Sequence, residues 1–101
     1  MTFDFNPTDV EKVIEGHVTS LDPLVISTFP VKEKKKYILL TMIAPKFQKG
    51  VKYTETDINF ILMAIHHDYV TIRRYLCDYH FLARTADGRA YWVPDPKEES
   101  R

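Results

Sequence analysis

The side chains with the most evident chemistry are arginines and lysines at three places in the chain. Arg73 and Arg74 are adjacent, and Arg84 and Arg89 follow within sixteen residues. The third group consists of lysines: Lys32, Lys34, Lys35 and Lys36. A guanidinium group presents paired donors that suit a phosphate or the O6 and N7 atoms of guanine, whereas a lysine acts as a point charge. These residues indicate a polyanion as ligand, although lysine runs also occur where they serve only solubility.

The charge of the chain is segregated by position. The 101 residues include 14 Lys and Arg and 14 Asp and Glu, so the formal net charge is zero. Residues 1–29 nevertheless carry a net charge of −4, residues 30–94 carry +5 and residues 95–101 carry −1. A neutral total therefore does not argue against a nucleic-acid partner, because the basic centre can form a binding face between acidic ends.

The histidines and the cysteine do not form a pattern that is typical of catalysis or metal binding. The pair His66 and His67 lacks the i, i+4 spacing that places two ligands on one helix face. Cys77 lies beside the apolar stripe of a predicted helix, where a cysteine behaves as a small buried hydrophobe. The sequence contains no Gly-rich phosphate loop and no Ser-His-Asp arrangement. We therefore expect no enzymatic activity, no metal site, no cofactor and no small-molecule substrate.

Length and composition indicate one folded domain. A chain with 45% hydrophobic and 13% aromatic residues can build a single core at this length. Every apolar run, such as 37–40, is far shorter than the roughly 20 residues that span a bilayer. The N-terminus lacks the basic and apolar regions of a signal peptide, and a single cysteine excludes a disulfide framework. We expect a cytoplasmic protein with no membrane segment.

The elements that would position the basic residues begin with a short amphipathic helix. Asn6 followed by Pro7 is typical of a helix start. Apolar residues then recur at helical spacing: Val10, Val13 and Ile14. Gly16 predicts the end of this helix, which we expect over about 7–15. The next stretch, 17–30, predicts irregular structure whose apolar residues pack on the core.

The second predicted helix carries the lysine run. It begins just after Pro30 and ends or kinks near Ala44, because Pro45 lacks a helical N–H and disfavours helix at the residue before it. The lysines occupy its first turns, where cations oppose the helix dipole. This unfavourable placement favours a binding role for the lysines.

Two further helices are predicted on either side of a tight turn. The first spans about 55–66, with Thr54 at the N-cap and Asp57 three residues later in an acidic variant of the capping box. The second begins after Asp68, whose side chain can cap it. Its core-facing residues recur at steps of three and four: Tyr69, Ile72, Leu76 and Tyr79.

A β-hairpin is predicted after these helices. The hydrophobic period changes to two from Phe81, and the dipeptide Asp87-Gly88 is a strong turn signal. The returning strand spans 90–93. Tyr91 and Trp92 on this strand have rings that can stack on bases, but we expect Trp92 to pack in the core.

From residue 30 the predicted order is helix, short strand at 52–53, helix, tight turn, helix and hairpin. These are the parts of a winged helix-turn-helix. We therefore predict an α+β fold that is mainly helical, with three core helices, a C-terminal β-hairpin and an additional short N-terminal helix. The expected organisation is an acidic helical extension over 1–28, a winged-helix-like domain over 29–94 and a mobile tail over 95–101.

Four motifs support a family resemblance. They are FP-x-K-x-KK, YTE-x-x-x-N, DY-x-T-x-RR and DG-x-x-YW, which start at residues 29, 53, 68 and 87. Over about residues 29–93 the chain resembles a small bacterial family catalogued as a domain of unknown function, whose members occur alone or fused to the DNA-binding domain of transcriptional regulators. The resemblance implies a winged-helix-like fold and a role in transcription regulation. The sequence departs from the family pattern at Pro45 and at His80, where a glycine is usual before the hairpin.

The leading hypothesis is a DNA-binding transcriptional regulator of winged-helix type. In such a fold the helix that begins near residue 69 enters the major groove. We expect Thr71, Arg73 and Arg74 to contact the groove. The expected phosphate contacts come from four other residues: Lys34, Lys35, Arg84 and Arg89. Adjacent helical residues point about 100° apart, so one arginine of the pair can instead bond an acidic neighbour such as Glu55, Asp57 or Asp68.

The alternative is a winged-helix module that binds protein or forms a homodimer and does not bind DNA. The acidic N-terminal helix, with its apolar residues Val10, Val13 and Ile14, is a candidate surface for self-association. A third interpretation combines the two hypotheses. In it the −4 segment folds over the +5 face of the same chain and shields it from DNA.

Overall fold

The computed structural model describes residues 2–95 and has an α+β fold, as the sequence predicts. Within these residues the chain forms four helices and two small antiparallel sheets: α1 (Pro7–His17), β1 (Val18–Leu21), β2 (Leu24–Ile26), α2 (Glu33–Ile43), α3 (Glu55–Met63), α4 (Tyr69–Asp78), β3 (Ala83–Arg84) and β4 (Tyr91–Trp92). No helix in this part of the chain is long and apolar enough to cross a membrane. The predicted mobile tail, apart from Asp95, lies outside the described residues.

Helix α1 begins where the sequence predicts but ends later. The Asn6 side chain accepts a hydrogen bond from the Asp9 N–H at 2.9 Å, and the Asp9 carboxylate accepts one from the Asn6 N–H at 3.1 Å. The predicted stop at Gly16 is wrong, because α1 continues through it to His17. A glycine costs a helix only about 1 kcal/mol relative to alanine, which does not by itself end one.

The stretch 17–30 contains a hairpin and not the predicted irregular structure. β1 and β2 pair antiparallel, with Val18 opposite Ile26. Leu24 and Ile26 are buried, and the Ile26 N–H donates to the Ile65 carbonyl at 2.8 Å. These long-range contacts stabilise strands that are too short to show a period in the sequence, which is why the pattern missed them.

The N-terminal extension shares the core of the rest of the molecule. Val13 on α1 is 1% exposed and belongs to the same hydrophobic cluster as the buried residues of the other helices. The rings of Phe3 and Phe5 lie 5.5 and 6.1 Å from the ring of Tyr37 on α2. The apolar side of α1 is therefore used inside the chain.

Helix α2 is the central helix and matches its predicted bounds. It follows Pro30 and ends before Ala44, where a single 3₁₀ turn that contains Pro45 takes over. Four of its side chains are fully buried: Ile38, Leu39, Leu40 and Ile43. The lysine run lies at the N-terminal end of this helix, away from the buried part.

Helices α3 and α4 have the predicted caps. The Thr54 hydroxyl accepts a hydrogen bond from the Asp57 N–H at 3.0 Å, and the Asp57 carboxylate accepts one from the Thr54 N–H at 2.9 Å. Asp68 caps α4 by accepting a hydrogen bond from the Thr71 N–H at 3.4 Å. Helix α3 ends at Met63, three residues before its predicted end, because the chain tightens into the turn that leads to α4.

The second hairpin, formed by β3 and β4, also pairs with the backbone of Tyr53. β3 and β4 pair antiparallel, and Tyr53 exchanges two backbone hydrogen bonds with Tyr91, both at 2.8 Å. The predicted strand at 52–53 is therefore a single bridging residue. Trp92 was expected in the core, but it is only half-buried. Tyr91 occupies the inward position, and successive strand residues point to opposite faces.

His80 connects α4 to β3 in a left-handed conformation. Its φ is +66°, which favours glycine. The backbone conformation at this position is therefore one that glycine adopts more readily than histidine. Histidine in this conformation carries a modest strain, of the order of 1 kcal/mol.

Candidate nucleic-acid interface

One face of α4 lines a cavity of about 310 Å³ beside the hairpin. The residues of α4 on this face follow the i, i+3, i+4 pattern of one helix side: Val70, Arg73, Arg74, Cys77 and Asp78. The other lining residues are Glu55 on α3, Arg84 on β3 and Tyr91 on β4. The space between the three arginines is called the arginine cavity below.

Core packing sets the direction of this face. Ile72 and Leu76 on the opposite side of α4 are both 0% exposed, so α4 cannot rotate without exposing them. The cap at Asp68 fixes where the helix begins, and hydrogen bonds from Thr71 hold the pKa of the Asp68 carboxyl below its usual value. The polar face of α4 is therefore held towards the hairpin by apolar contacts behind it.

Arg73 forms the inner wall of the arginine cavity. Its side chain is 17% exposed, its Nη2 lies 3.4 Å from Glu55 Oε1, and its Nη1 donates to Asn59 Oδ1. Both partners belong to α3, so Arg73 links the two helices. The predicted alternative that one arginine of the pair bonds Glu55 agrees with this contact.

Arg74 and Arg84 are exposed and face the same cavity from two different elements. Neither forms an ion pair within the described residues. With Glu55 bonded to Arg73, the remaining charges at the cavity are these two guanidinium groups and the carboxylate of Asp78. The arrangement can therefore bind an anion through donors on both α4 and β3.

The hairpin turn brings Arg84 close to the cavity wall. Gly88 has φ +72°, and a Cβ at this position would lie 3.3 Å from Arg84 Nη1. The turn itself is held by Asp87, which accepts hydrogen bonds from the Thr85 hydroxyl at 2.6 Å and from the Arg89 N–H at 3.0 Å. These bonds, led by that of Thr85, lower the pKa of the Asp87 carboxyl.

The remaining predicted contacts do not line the arginine cavity. Arg89 is exposed at the tip of the hairpin, with its Nε 3.8 Å from Asp87 Oδ2. Lys34 Nζ lies 3.1 Å from Asp9 Oδ2, so it meets the acidic N-terminal helix. Lys35 and Thr71 are half-buried and lie outside the cavity lining. Three of the seven predicted residues are thus brought together: Arg73, Arg74 and Arg84.

The acidic extension meets α2 and not the arginine cavity. Its one ion pair within the described residues joins Asp9 to Lys34. The pKa of the Asp9 carboxyl is lowered first by the Asn6 N–H and then by Lys34. Within residues 2–95 no ion pair joins this segment to Arg74 or Arg84, so no contact supports the interpretation that it shields them directly. Self-association through Val13 would require that buried residue to leave the core.

The sequence did not indicate two of the other residues that line the arginine cavity, Cys77 and Tyr91. Cys77 was expected in the core, yet it is half-buried and lines the cavity, because it lies four residues after Arg73 on the same helix side. Burial raises the pKa of its thiol, which keeps it protonated and weakly nucleophilic. The helical spacing from Arg73 was the signal for Cys77, whereas the position of Tyr91 at the cavity depends on the hairpin register.

The histidines have structural contacts. His66 is 8% exposed, its Nδ1 lies 2.8 Å from the Ile26 carbonyl, and its ring centroid is 4.3 Å from that of His67. His17 Nδ1 lies 2.9 Å from the Thr28 hydroxyl. In residues 2–95 no group of three or more His, Cys, Asp and Glu side chains is placed to hold a metal ion.

Comparison with known sequences identifies a family but no characterised relative. A family model described as an uncharacterized protein conserved in bacteria, DUF2087, matches residues 25–93. No curated protein and no solved structure matches the chain. The matched segment covers more than half of the sequence and includes α2, α3, α4 and the second hairpin. The chain therefore belongs to the DUF2087 family of uncharacterized bacterial proteins.

Proposed function

We propose that the protein is a winged helix-turn-helix protein that binds DNA and regulates transcription. The order of α2, the Tyr53 bridge, α3, α4, β3 and β4 supports this proposal, because it is the order of elements in that fold. In this assignment α3 and α4 form the helix-turn-helix, and the hairpin is the wing. Helix α4 then enters the major groove.

The observation that carries the proposal is the convergence of Arg74 and Arg84 on one cavity. One belongs to the proposed recognition helix and the other to the proposed wing, so a single stretch of DNA backbone can meet both. Arg73, held by Glu55, keeps α4 in place beside α3. Arg89 at the hairpin tip and Lys35 on α2 supply further phosphate contacts outside the cavity.

Binding of this kind depends strongly on salt. Each phosphate contact releases condensed counterions, and the logarithm of the binding constant falls with the logarithm of the salt concentration in proportion to the number of contacts. Guanidinium groups also suit the bidentate contact with guanine that gives sequence preference. We therefore expect measurable binding at low salt to a pool of bacterial genomic DNA fragments.

Fluorescence anisotropy with such a pool, in about 50 mM salt where the electrostatic contribution is strong, tests the proposal. We expect the wild type to bind and the Arg74→Glu and Arg84→Glu variants to bind at least about tenfold more weakly, a loss of about 1.4 kcal/mol. Each variant should also have a shallower salt dependence, by about one contact.

Lys12→Glu is the matched control, because Lys12 is an exposed cation on α1 outside the arginine cavity. This variant changes the net charge by the same amount and should bind like the wild type. Circular dichroism spectra establish that all variants are folded. Absence of wild-type binding, or an equal loss in Lys12→Glu and Arg74→Glu, contradicts the proposal.

The second candidate function is a module that binds protein and not DNA. Its support is the exposure of large apolar side chains on α3, with Phe60 at 78% and Met63 at 57%. An apolar surface of this kind is typical of protein interfaces. This candidate is favoured if the wild type shows no DNA binding while Phe60→Glu changes its association with a protein partner.

A further inference from the structure

The outer side of α3 presents an aromatic ring that stacks on no other ring within residues 2–95. Phe60 is 78% exposed and Met63, one turn later, is 57% exposed. Phe60 lies on the helix side opposite the buried residues Ile58 and Leu62, and Met63 lies on the flank next to Phe60. A phenylalanine that remains in water gives up the roughly 1.5–3 kcal/mol that its burial would contribute.

A groove of about 530 Å³ lies directly beside Phe60. Its apolar walls come from half-buried residues, Val51, Tyr53 and Ile61, and Phe60 itself forms one side. Lys52 and Asp57 line the groove and are both exposed. Within residues 2–95 neither of these two forms an ion pair. The surface therefore combines a protruding ring, an apolar groove, a cation and an anion.

We propose that this surface binds a second copy of the same chain in a two-fold symmetric dimer. Under two-fold symmetry each copy meets the same surface of the other, so a ring that lies beside a groove can enter the groove of its partner while the partner does the same. Lys52 of each copy then faces Asp57 of the other. Asp57 is fixed for this contact, because its Oδ2 accepts the Thr54 N–H at 2.9 Å.

The charges favour a second copy over an unrelated protein. A different partner must supply a ring, a groove, an anion opposite Lys52 and a cation opposite Asp57. A second copy carries all four groups on the same surface. The proposal goes beyond DNA binding and does not depend on it. If the protein both dimerises and binds DNA, the dimer presents two α4 helices to two half-sites of one DNA duplex.

Sedimentation velocity without DNA, over protein concentrations from about 1 to 500 µM, tests the dimer, since small interfaces associate in this range. We expect the wild-type mass to rise reversibly from monomer to dimer. Phe60→Glu should weaken association at least about tenfold. Val31→Glu is the control, because Val31 is 87% exposed and lies outside the groove.

Lys52→Glu tests the charge contact separately. It places two acidic residues opposite each other across the interface and should weaken association, whereas Lys46→Glu, at an exposed lysine outside the groove, should not. If Phe60→Glu fails to fold, Phe60→Ala replaces it in the same measurement. A wild type that stays monomeric throughout, or a dimer that Phe60→Glu and Lys52→Glu leave unchanged, overturns the proposal. In the first case the surface belongs to another partner.

Discussion

Arg73 and Arg74 are adjacent in sequence but have different surroundings. Helical geometry turns them about 100° apart, and only Arg73 lies close to α3. There it contacts Glu55 and Asn59, whereas Arg74 remains exposed at the cavity. The pair therefore combines a structural link between two helices with a side chain that is free to bind a ligand.

This difference predicts unequal effects on stability. Arg73→Ala should lower the free energy of unfolding by about 1–2 kcal/mol, because Asn59 loses a hydrogen bond and α4 loses its link to α3. Half of the Glu55 side chain is exposed, which limits the loss from the ion pair. Arg74→Ala should change the free energy by less than about 0.5 kcal/mol. Urea unfolding followed by circular dichroism measures both, and equal losses would contradict the assignment.

At the scale of elements, the helix starts are determined by local hydrogen bonds. Asn6 and Thr54 each accept a backbone N–H from the residue three positions later, and an aspartate at that position returns the bond. These interactions involve only neighbours in sequence, which is why the starts of α1 and α3 could be predicted. The ends of α1 and α3 could not, because they depend on contacts with distant residues, such as Ile26 at the turn after α3.

The cap of α3 predicts the effect of Thr54→Ala. Removal of the hydroxyl leaves the Asp57 N–H without its acceptor and should lower the free energy of unfolding by about 1 kcal/mol. Thr56→Ala, at an exposed position within α3, controls for the higher helix propensity of alanine and should be neutral or slightly stabilising. Thermal unfolding of the two variants side by side measures the contribution of the cap. An equal loss of stability in Thr54→Ala and Thr56→Ala would indicate that the loss does not come from the cap.

At the scale of the whole molecule, the N-terminal extension and the family domain share one core. Val13, Leu24 and Ile26 belong to the same cluster as the buried residues of α2, α3 and α4. His66 and Ile65, in the turn after α3, both contact Ile26. The family match begins at residue 25, within β2, so a boundary drawn at that point cuts through a hairpin.

Deletion of residues 1–28 should therefore destabilise the protein and should not simply uncover a basic face. Three buried aliphatic side chains at about 1.5–3 kcal/mol each predict a loss of roughly 5 kcal/mol or more, a large part of the stability of a small domain. Thermal unfolding and binding of a hydrophobic dye measure the effect. Glu11→Gln, which removes one acidic charge at an exposed position of α1, is the control and should unfold like the wild type. A truncated chain with wild-type stability would contradict this prediction.

The sequence by itself determined the fold class, the order of the helices, the caps and the second hairpin, because these depend on local periodicity and on hydrogen bonds between near neighbours. It also named seven candidate contact residues, of which three arginines meet at one cavity. Only the tertiary structure shows that Arg73 bonds to α3, that Lys34 pairs with the N-terminal helix and that residues 18–26 form a hairpin. Each of these depends on which residues distant in sequence are buried together, and a linear pattern does not contain that information.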